Sequence, residues 1–327
     1  MRLRKGVIVA ASALLLVAAG CSGTGQQSTA STGGGGGSGK YDYKIAVVTH
    51  GAAGDTFWDV VKKGAEKAGA DMGDAVTYQD SGGDPAKQSQ LIDAAVNQKV
   101  DGLVVSMANP DALKASIQKA VAAGIPVITI NSGQDSSKEF GALAHVGQDE
   151  GIAGQGAGAQ LKAAGVTHAL CVIQEAGNIG LEQRCQGFEQ GLGGQVDNLQ
   201  VENSNPSGAQ ATITSKLQSD PSINGILTLG PVIGAVAIKA VTDAKSTATL
   251  ATFDLNGDVT QAIADGKMLF AVDQQQYTQG YLPIVMLTLY KANLNTIGGG
   301  QPVLTGPGYV TKDNAAKVKD LATQGTR

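Results

Sequence analysis

The chain has little histidine and cysteine, three of each, and few aromatics, with a single tryptophan and 4% Phe, Trp and Tyr together among 327 residues. Each scarcity excludes something. His50, His145 and His168 are not at metal-ligand spacing, so the sequence predicts no metal site. It shows no Ser-His-Asp set, P-loop or nucleophile elbow, which speaks against an enzyme, and no cofactor is expected. The apolar run Val7 to Ala19 falls short of the roughly 20 residues that span a bilayer.

Positive charge is also sparse, and much of what sits near the N-terminus belongs to a leader. Arg2, Arg4 and Lys5 precede the apolar run, and small residues then lead to Cys21 in "AAGCSG". This order predicts a secretory signal over residues 1–20. Cys21, directly after the cleavage region, is placed as in a bacterial lipobox, although Ala18 stands where Leu is usual. It is the expected lipidation site and membrane anchor, a freely secreted chain being the alternative. Without the three leader charges, 21 of the 24 basic residues face 28 acidic ones, a net charge near −7. That balance argues against a nucleic-acid partner, and the signal and tether take the place a DNA-binding helix-turn-helix would need.

Residues 22–40, "SGTGQQSTASTGGGGGSGK", have the composition of a flexible coil with a reach of roughly 25 Å. The segment 21–43 thus reads as a lipidated cysteine and linker. The other two cysteines, Cys171 and Cys185, are expected to form a disulfide in an exported chain, with two separate buried thiols as the alternative.

From Lys44 the pattern alternates strand and helix. "KIAVVTH", "AVTYQDS", "DGLVVSM" and "IPVITIN" are short strands separated by amphipathic helices, and the alternation restarts after "HVGQDE" through "HALCVIQ", "NLQVENS", "GILTLG" and "TLATFD". Nearly continuous apolar strands between helices predict parallel sheets covered on both faces. The fold class is α/β, with two doubly wound parallel-sheet lobes joined by a hinge. About 285 residues after signal and linker suit two such units. The expected lobes are 44–147 plus about 277–305 and 148–276 plus about 306–327, with crossings near Gly147, at Asp254 to Asn256 and after Gln276. The glycines at 154, 156 and 158 fall inside a predicted helix, where close helix packing is the reading preferred over a dinucleotide loop.

Doubly wound sheets bind ligands at the carboxyl ends of their strands. Polar and aromatic residues at those ends are Asp55, Phe57, Trp58, Asn109, Asn131 and Ser132 in the first unit. In the second they are Glu175, Asn178, Glu182, Asn203, Asn205, Asp254, Asn256 and Gln274 to Gln276. Amides and carboxylates beside an aromatic face suit a polyhydroxylated small molecule, with hydroxyls at its edge and C–H groups on its face. Trp58 is then a stacking platform, or else one more core aromatic. Arg184 is either a ligand contact or a structural ion-pair partner.

The segments "KIAVVTHGAAGDTFW", "AAGIPVITINSG", "HVGQDE", "QRCQGF" and "LATFD" together resemble the periplasmic sugar-binding proteins of the ribose-binding type, from about Lys44 to Gln276. These are substrate-binding components of ABC importers with a type I periplasmic-binding fold, related to the ligand-binding domains of LacI-type repressors. The resemblance implies a ligand set. Asp55 stands at a polar ligand-binding position and Phe57 with Trp58 at the aromatic pair. Asn131 occupies the place of a hydroxyl-contacting Asp, while Ser132 replaces an Arg. Asp254 and Gln274 match two further sugar-contacting positions. Glu182 falls where the ribose binders carry a sugar-contacting Arg, Arg184 keeps the "R-x-x-G-F" pattern, and Gly230 replaces a ligand-binding Asn. Asp55, Glu182 and Asp254 would make the pocket acidic and disfavour anionic sugars.

The resemblance therefore implies an extracytoplasmic, monomeric solute-binding lipoprotein. It would capture a neutral sugar or polyol and deliver it to an ABC permease with its ATPase. A sensor or chemoreceptor subunit that signals without transport is the alternative.

Overall fold

The computed structural model describes residues 41–327. The signal peptide, Cys21 and nearly all of the linker lie outside the described residues.

The first half runs β1 (Lys44–Thr49), α1 (Thr56–Met72), β2 (Ala75–Asp80), α2 (Pro85–Asn97), β3 (Gly102–Ser106), α3 (Pro110–Ala122), β4 (Val127–Ile130), α4 (Gln134–Ser137) and β5 (Ala144–Gly147). The second runs α5 (Glu150–Ala163), β6 (His168–Ile173), α6 (Ile179–Leu192), β7 (Gln195–Gln200), α7 (Pro206–Ser219), β8 (Gly225–Thr228), α8 (Pro231–Asp243), β9 (Thr249–Phe253), α9 (Gly257–Ala264) and β10 (Phe270–Asp273). After these come α10 (Gln276–Asn293), β11 (Val303–Leu304), β12 (Gly308–Thr311) and α11 (Ala315–Gln324).

Two six-stranded sheets result, ordered β11-β5-β4-β3-β1-β2 and β12-β10-β9-β8-β6-β7. The first is parallel throughout, whereas β12 runs antiparallel to β10 at the edge of the second. Inner strands such as β3 "GLVVS" and β6 "HALCVI" are buried along their whole length, because helices cover both faces. The edge strand β2 "AVTYQD" instead alternates between exposed and half-buried residues. Helix starts are set by side-chain caps: Asp55 accepts from Phe57 N, Asp84 from Ala86 N and Asn178 from Gly180 N. Pro85, Pro110, Pro206 and Pro231 open α2, α3, α7 and α8, where a missing N–H costs nothing.

The chain passes between the sheets three times, between β5 and α5, between β10 and α10, and between β11 and β12. Asp254 to Asn256 is not among these places, contrary to the sequence expectation. β9 and β10 are hydrogen-bonded neighbours in one sheet, and Asp254 N donates to Val272 O at 2.7 Å. Because of the crossings, α10 packs on α1 of the first lobe, and α5 packs on α6 of the second. Both pairs rest on glycine: a Cβ on Gly280 would stand 1.9 Å from Val61 O, and one on Gly154 2.1 Å from Arg184 O. Gly154 and Gly158 of α5 thus serve contact with α6, whereas a Cβ on Gly156 would stand 2.0 Å from the Tyr309 hydroxyl of β12. Cys171 of β6 and Cys185 of α6 form a disulfide, with Cα atoms 5.8 Å apart. Among the described residues no helix is long and apolar enough to cross a membrane.

Candidate functional site

The carboxyl ends of both sheets face one another across a cavity with an empty volume of about 380 Å³. Its walls come from strand ends and the helix starts that follow: His50 after β1, Asp55, Phe57 and Trp58 at the start of α1, and Asn131 after β4. The second lobe supplies Gln174 and Glu175 after β6, Asn178 and Arg184 of α6, Asn203, Gly230, Asp254 after β9 and Gln274 after β10.

Seven of the nine ligand-binding residues expected from the sequence line this cavity: Asp55, Phe57, Trp58, Asn131, Arg184, Asp254 and Gln274. Two do not. Asn109 is exposed, accepts from Ala112 N to cap α3, and borders a wider cleft beside the cavity. Glu182 is exposed on α6, because two residues along a helix turn a side chain about 200° away from Arg184. The cavity's further carboxylate is Glu175. His50 lies 4.7 Å from Trp58 edge to face and forms part of the wall. Glu175, Asn178 and Asn203 were among the polar strand-end residues, and weighting every such residue equally would have added them.

Aromatic packing makes one wall rigid. Trp58 is 3% exposed and contacts Phe57 edge to face at 5.0 Å. It belongs to the core cluster with Val47, Val61 and Ile130, so the tryptophan is at once core aromatic and cavity wall.

The polar wall is one connected network. Gln274 Nε2 donates to both oxygens of Asp254 at 2.9 and 3.1 Å, and Asn131 Nδ2 donates to Gln274 Oε1 at 3.1 Å. Arg184 stands behind Asp254, with Nη1 3.9 Å from Oδ2 and its guanidinium 4.5 Å above the Phe253 ring. Its other nitrogens are held by Glu150 of α5, Nε at 2.6 Å and Nη2 at 2.9 Å, and Nη1 donates to Leu229 O. Arg184 is therefore a structural ion-pair partner whose edge also reaches the cavity. Glu150 carried no strand-end signal, since it sits in the first turn of a helix.

Burial dominates the electrostatics. It pushes Asp55 up to about 7, helped by the neighbouring Glu175 charge, and Asp254 up to about 8 against the pull of Arg184. Glu175 is raised for the same reason, and His50 is lowered to about 3, so its imidazole is neutral. Burial thus favours the protonated form of all three carboxyl groups.

Bonds across the cleft draw the lobes together. Asn203 Nδ2 donates to Asp55 Oδ2 at 2.9 Å, Ile179 N to Ala108 O at 3.0 Å, and Ser132 Oγ to Asn178 Oδ1 at 3.1 Å. Two α/β lobes meeting over a polar, aromatic-walled cavity at their strand ends define the class of bilobal solute-binding proteins. The chain belongs to the periplasmic binding protein domain family, whose model matches residues 45–293.

Relatives narrow the comparison. A carbohydrate transporter from Acidothermus cellulolyticus 11B, solved in complex with myo-inositol, shares 46% identity with a TM-score of 0.86, covering 88% of this chain and 100% of that one. The xylose/arabinose-binding protein of Sulfolobus acidocaldarius is 27% identical over 261 residues, 72% of this chain and 64% of its own length. The ribose import binding protein of Bacillus subtilis (strain 168) is 26% identical over 233 residues, 69% of this chain and 74% of its own.

Proposed function

We propose that this chain captures a neutral sugar or polyol between its lobes and delivers it, unchanged, to the permease and ATPase of an ABC importer. The observation that carries the reading is the cavity wall. Trp58 offers an apolar face, while Asp55, Asn131, Asp254 and Gln274 offer donors and acceptors from both lobes. A ligand touching both lobes favours the closed arrangement by its differential contacts, with hinge motion at the three crossings. The lobes of that motion are 44–147 with about 277–305, and 148–276 with about 306–327. The relative solved with myo-inositol makes a cyclitol the first ligand to try. Burial of several carboxyl groups disfavours sugar acids and sugar phosphates.

The protein works outside the cytoplasm as a monomer, tethered through a lipid on Cys21. The support for the tether is the order of Arg2, Arg4 and Lys5, the apolar run, and Cys21 followed by a Gly- and Ser-rich segment. A thermal-shift screen of the full chain against inositols, pentoses, hexoses, sugar acids and sugar phosphates tests the ligand class. One neutral polyol or sugar should raise Tm saturably; stabilisation only by the anionic members, or by none of the panel, overturns it.

A further inference from the structure

A second polar cluster lies at the opposite end of the second lobe. β6 begins at His168 and ends just before Gln174, so roughly 17 Å of strand separates the cluster from the cavity. His168 is 6% exposed, with Nδ1 2.8 Å from Ser222 Oγ. The Ser222 hydroxyl donates its one hydrogen to Asp220 Oδ1 at 2.6 Å, so its oxygen accepts from His168 Nδ1–H. In the neutral ring Nε2 then carries the lone pair, and this atom is shielded from water and without a hydrogen-bond partner. Asp197 Oδ2 stands 3.5 Å in front of it. Two electron-rich atoms so placed call for a cation or a proton between them.

His168, Asp197 and Asp220 each offer one ligand atom, and these atoms lie within 4.8 Å of one another. No local pattern signals this cluster, because strand β6, the edge strand β7 and the loop after α7 bring together residues that have no metal-binding spacing. Lys216 supplies the present positive charge, its Nζ 2.9 Å from Asp197 Oδ2 and 3.9 Å from Asp220 Oδ2. Its side chain is 31% exposed, on the last turn of α7, and can turn out to solvent.

We propose that His168, Asp197 and Asp220 form a binding site for a divalent transition-metal ion of the zinc class, for which the Lys216 ammonium is the competitor. One neutral imidazole and two carboxylates suit zinc better than calcium or magnesium, which take oxygen ligands alone. Ser222 holds the other ring nitrogen and so leaves Nε2 free to ligate, as outer hydrogen-bond partners do for ligating histidines. Donors about 2.1 Å from a tetrahedral ion stand about 3.4 Å apart, so the carboxylates close in by about an ångström. Asp197 and Asp220 are each about one-third exposed, which allows that movement. A bound ion would join the edge strand β7 to β6 and to the loop that follows α7.

The test is titration of the full chain, first stripped with EDTA, with Zn²⁺ by calorimetry and with Co²⁺ by visible absorption. Wild type should bind one equivalent and gain Tm. Asp197→Asn and Asp220→Asn, both near the surface, should each lose that equivalent while keeping the wild-type unfolding profile in EDTA. Ser222→Ala should bind roughly 10–100-fold more weakly, and Lys216→Gln should bind at least about tenfold more tightly, a gain that a damaged fold cannot imitate. The proposal is overturned if neither wild type nor Lys216→Gln binds at millimolar Zn²⁺, or if binding survives both carboxylate variants.

Discussion

Asn131 and Asp254 are structural counterparts that share one partner. Each follows the fourth strand of its lobe, each is left-handed, with φ of 62° and 66°, and each donates its backbone N–H to the adjoining strand, at Val146 O and Val272 O. Gln274 joins them, accepting from Asn131 Nδ2 and donating to Asp254. Besides the bonds across the cleft, one amide thus links the two lobes, through residues held in a conformation that costs most side chains about 1 kcal/mol or more.

That conformation decides which variant of Asp254 is informative. Asn tolerates the left-handed region, so Asp254→Asn should keep the fold and weaken polyol binding by about tenfold or more, because its amide offers one acceptor oxygen where Asp254 presents two. Asp254→Ala adds backbone strain and should also lower Tm. Calorimetric titration with thermal unfolding of both variants separates the effects. Unchanged affinity in Asp254→Asn would remove the residue from the ligand set.

Asp55 makes stability depend on pH. Its folded value of about 7 lies above the ordinary 3.8, so the folded state holds a proton that the unfolded chain releases. The associated stability is complete below about pH 4 and is lost as pH rises toward 7, at most about 4 kcal/mol. Asp55→Asn can still cap α1, and Asn203 can present its amide oxygen to the new side chain. Urea unfolding should show the variant gaining on wild type between pH 4.5 and pH 8. A constant difference across that range would contradict the raised value.

Glu150 holds Arg184 with two hydrogen bonds in a buried place. Glu150→Gln leaves the guanidinium without its main counter-charge and should cost about 3–5 kcal/mol. Adding Arg184→Met should recover much of that loss in chemical denaturation, because the uncompensated charge is gone, while ligand affinity stays impaired.

Gly280 sets the distance between α10 and α1. Gly280→Ala places a Cβ 1.9 Å from Val61 O, a backbone atom that cannot step aside alone. The expected cost is about 1–3 kcal/mol, read as a lower Tm.

The single tryptophan reports directly on the cavity. Polyol addition should change Trp58 emission, with the midpoint of the change matching the calorimetric one. Calorimetric binding with silent fluorescence would leave Trp58 as a core residue alone.

Alternating strand and helix patterns made the two sheets readable, since strands such as "GLVVS" can be buried on both faces only in that architecture. The strand-end rule likewise reached Asp55, Trp58, Asn131, Asp254 and Gln274. It failed at Asn109, where the amide is spent on a helix cap, and at Glu182, where helical phase turns the side chain to solvent. Glu150 escaped because its role depends on α5 crossing into the other lobe and lying against α6, a tertiary fact with no local pattern. The crossing expected at Asp254 to Asn256 failed because α9 returns the chain to β10 in the same sheet, and chain order alone does not show that β10 pairs with β9.

The close packing of α10 on α1, with Gly280 against Val61 and Gly64 against Tyr277, has a consequence for the order in which the protein can be completed. Helix α10 is encoded after the whole second sheet apart from β12, so a growing or translocating chain carries an unfinished first lobe while the second is assembled. Closing β12 and α11 onto the second lobe needs later residues still. Each half, taken as a continuous stretch, lacks an element of its own lobe, and a chain cut before α10 would leave the groove around Gly64 open to water and to other chains.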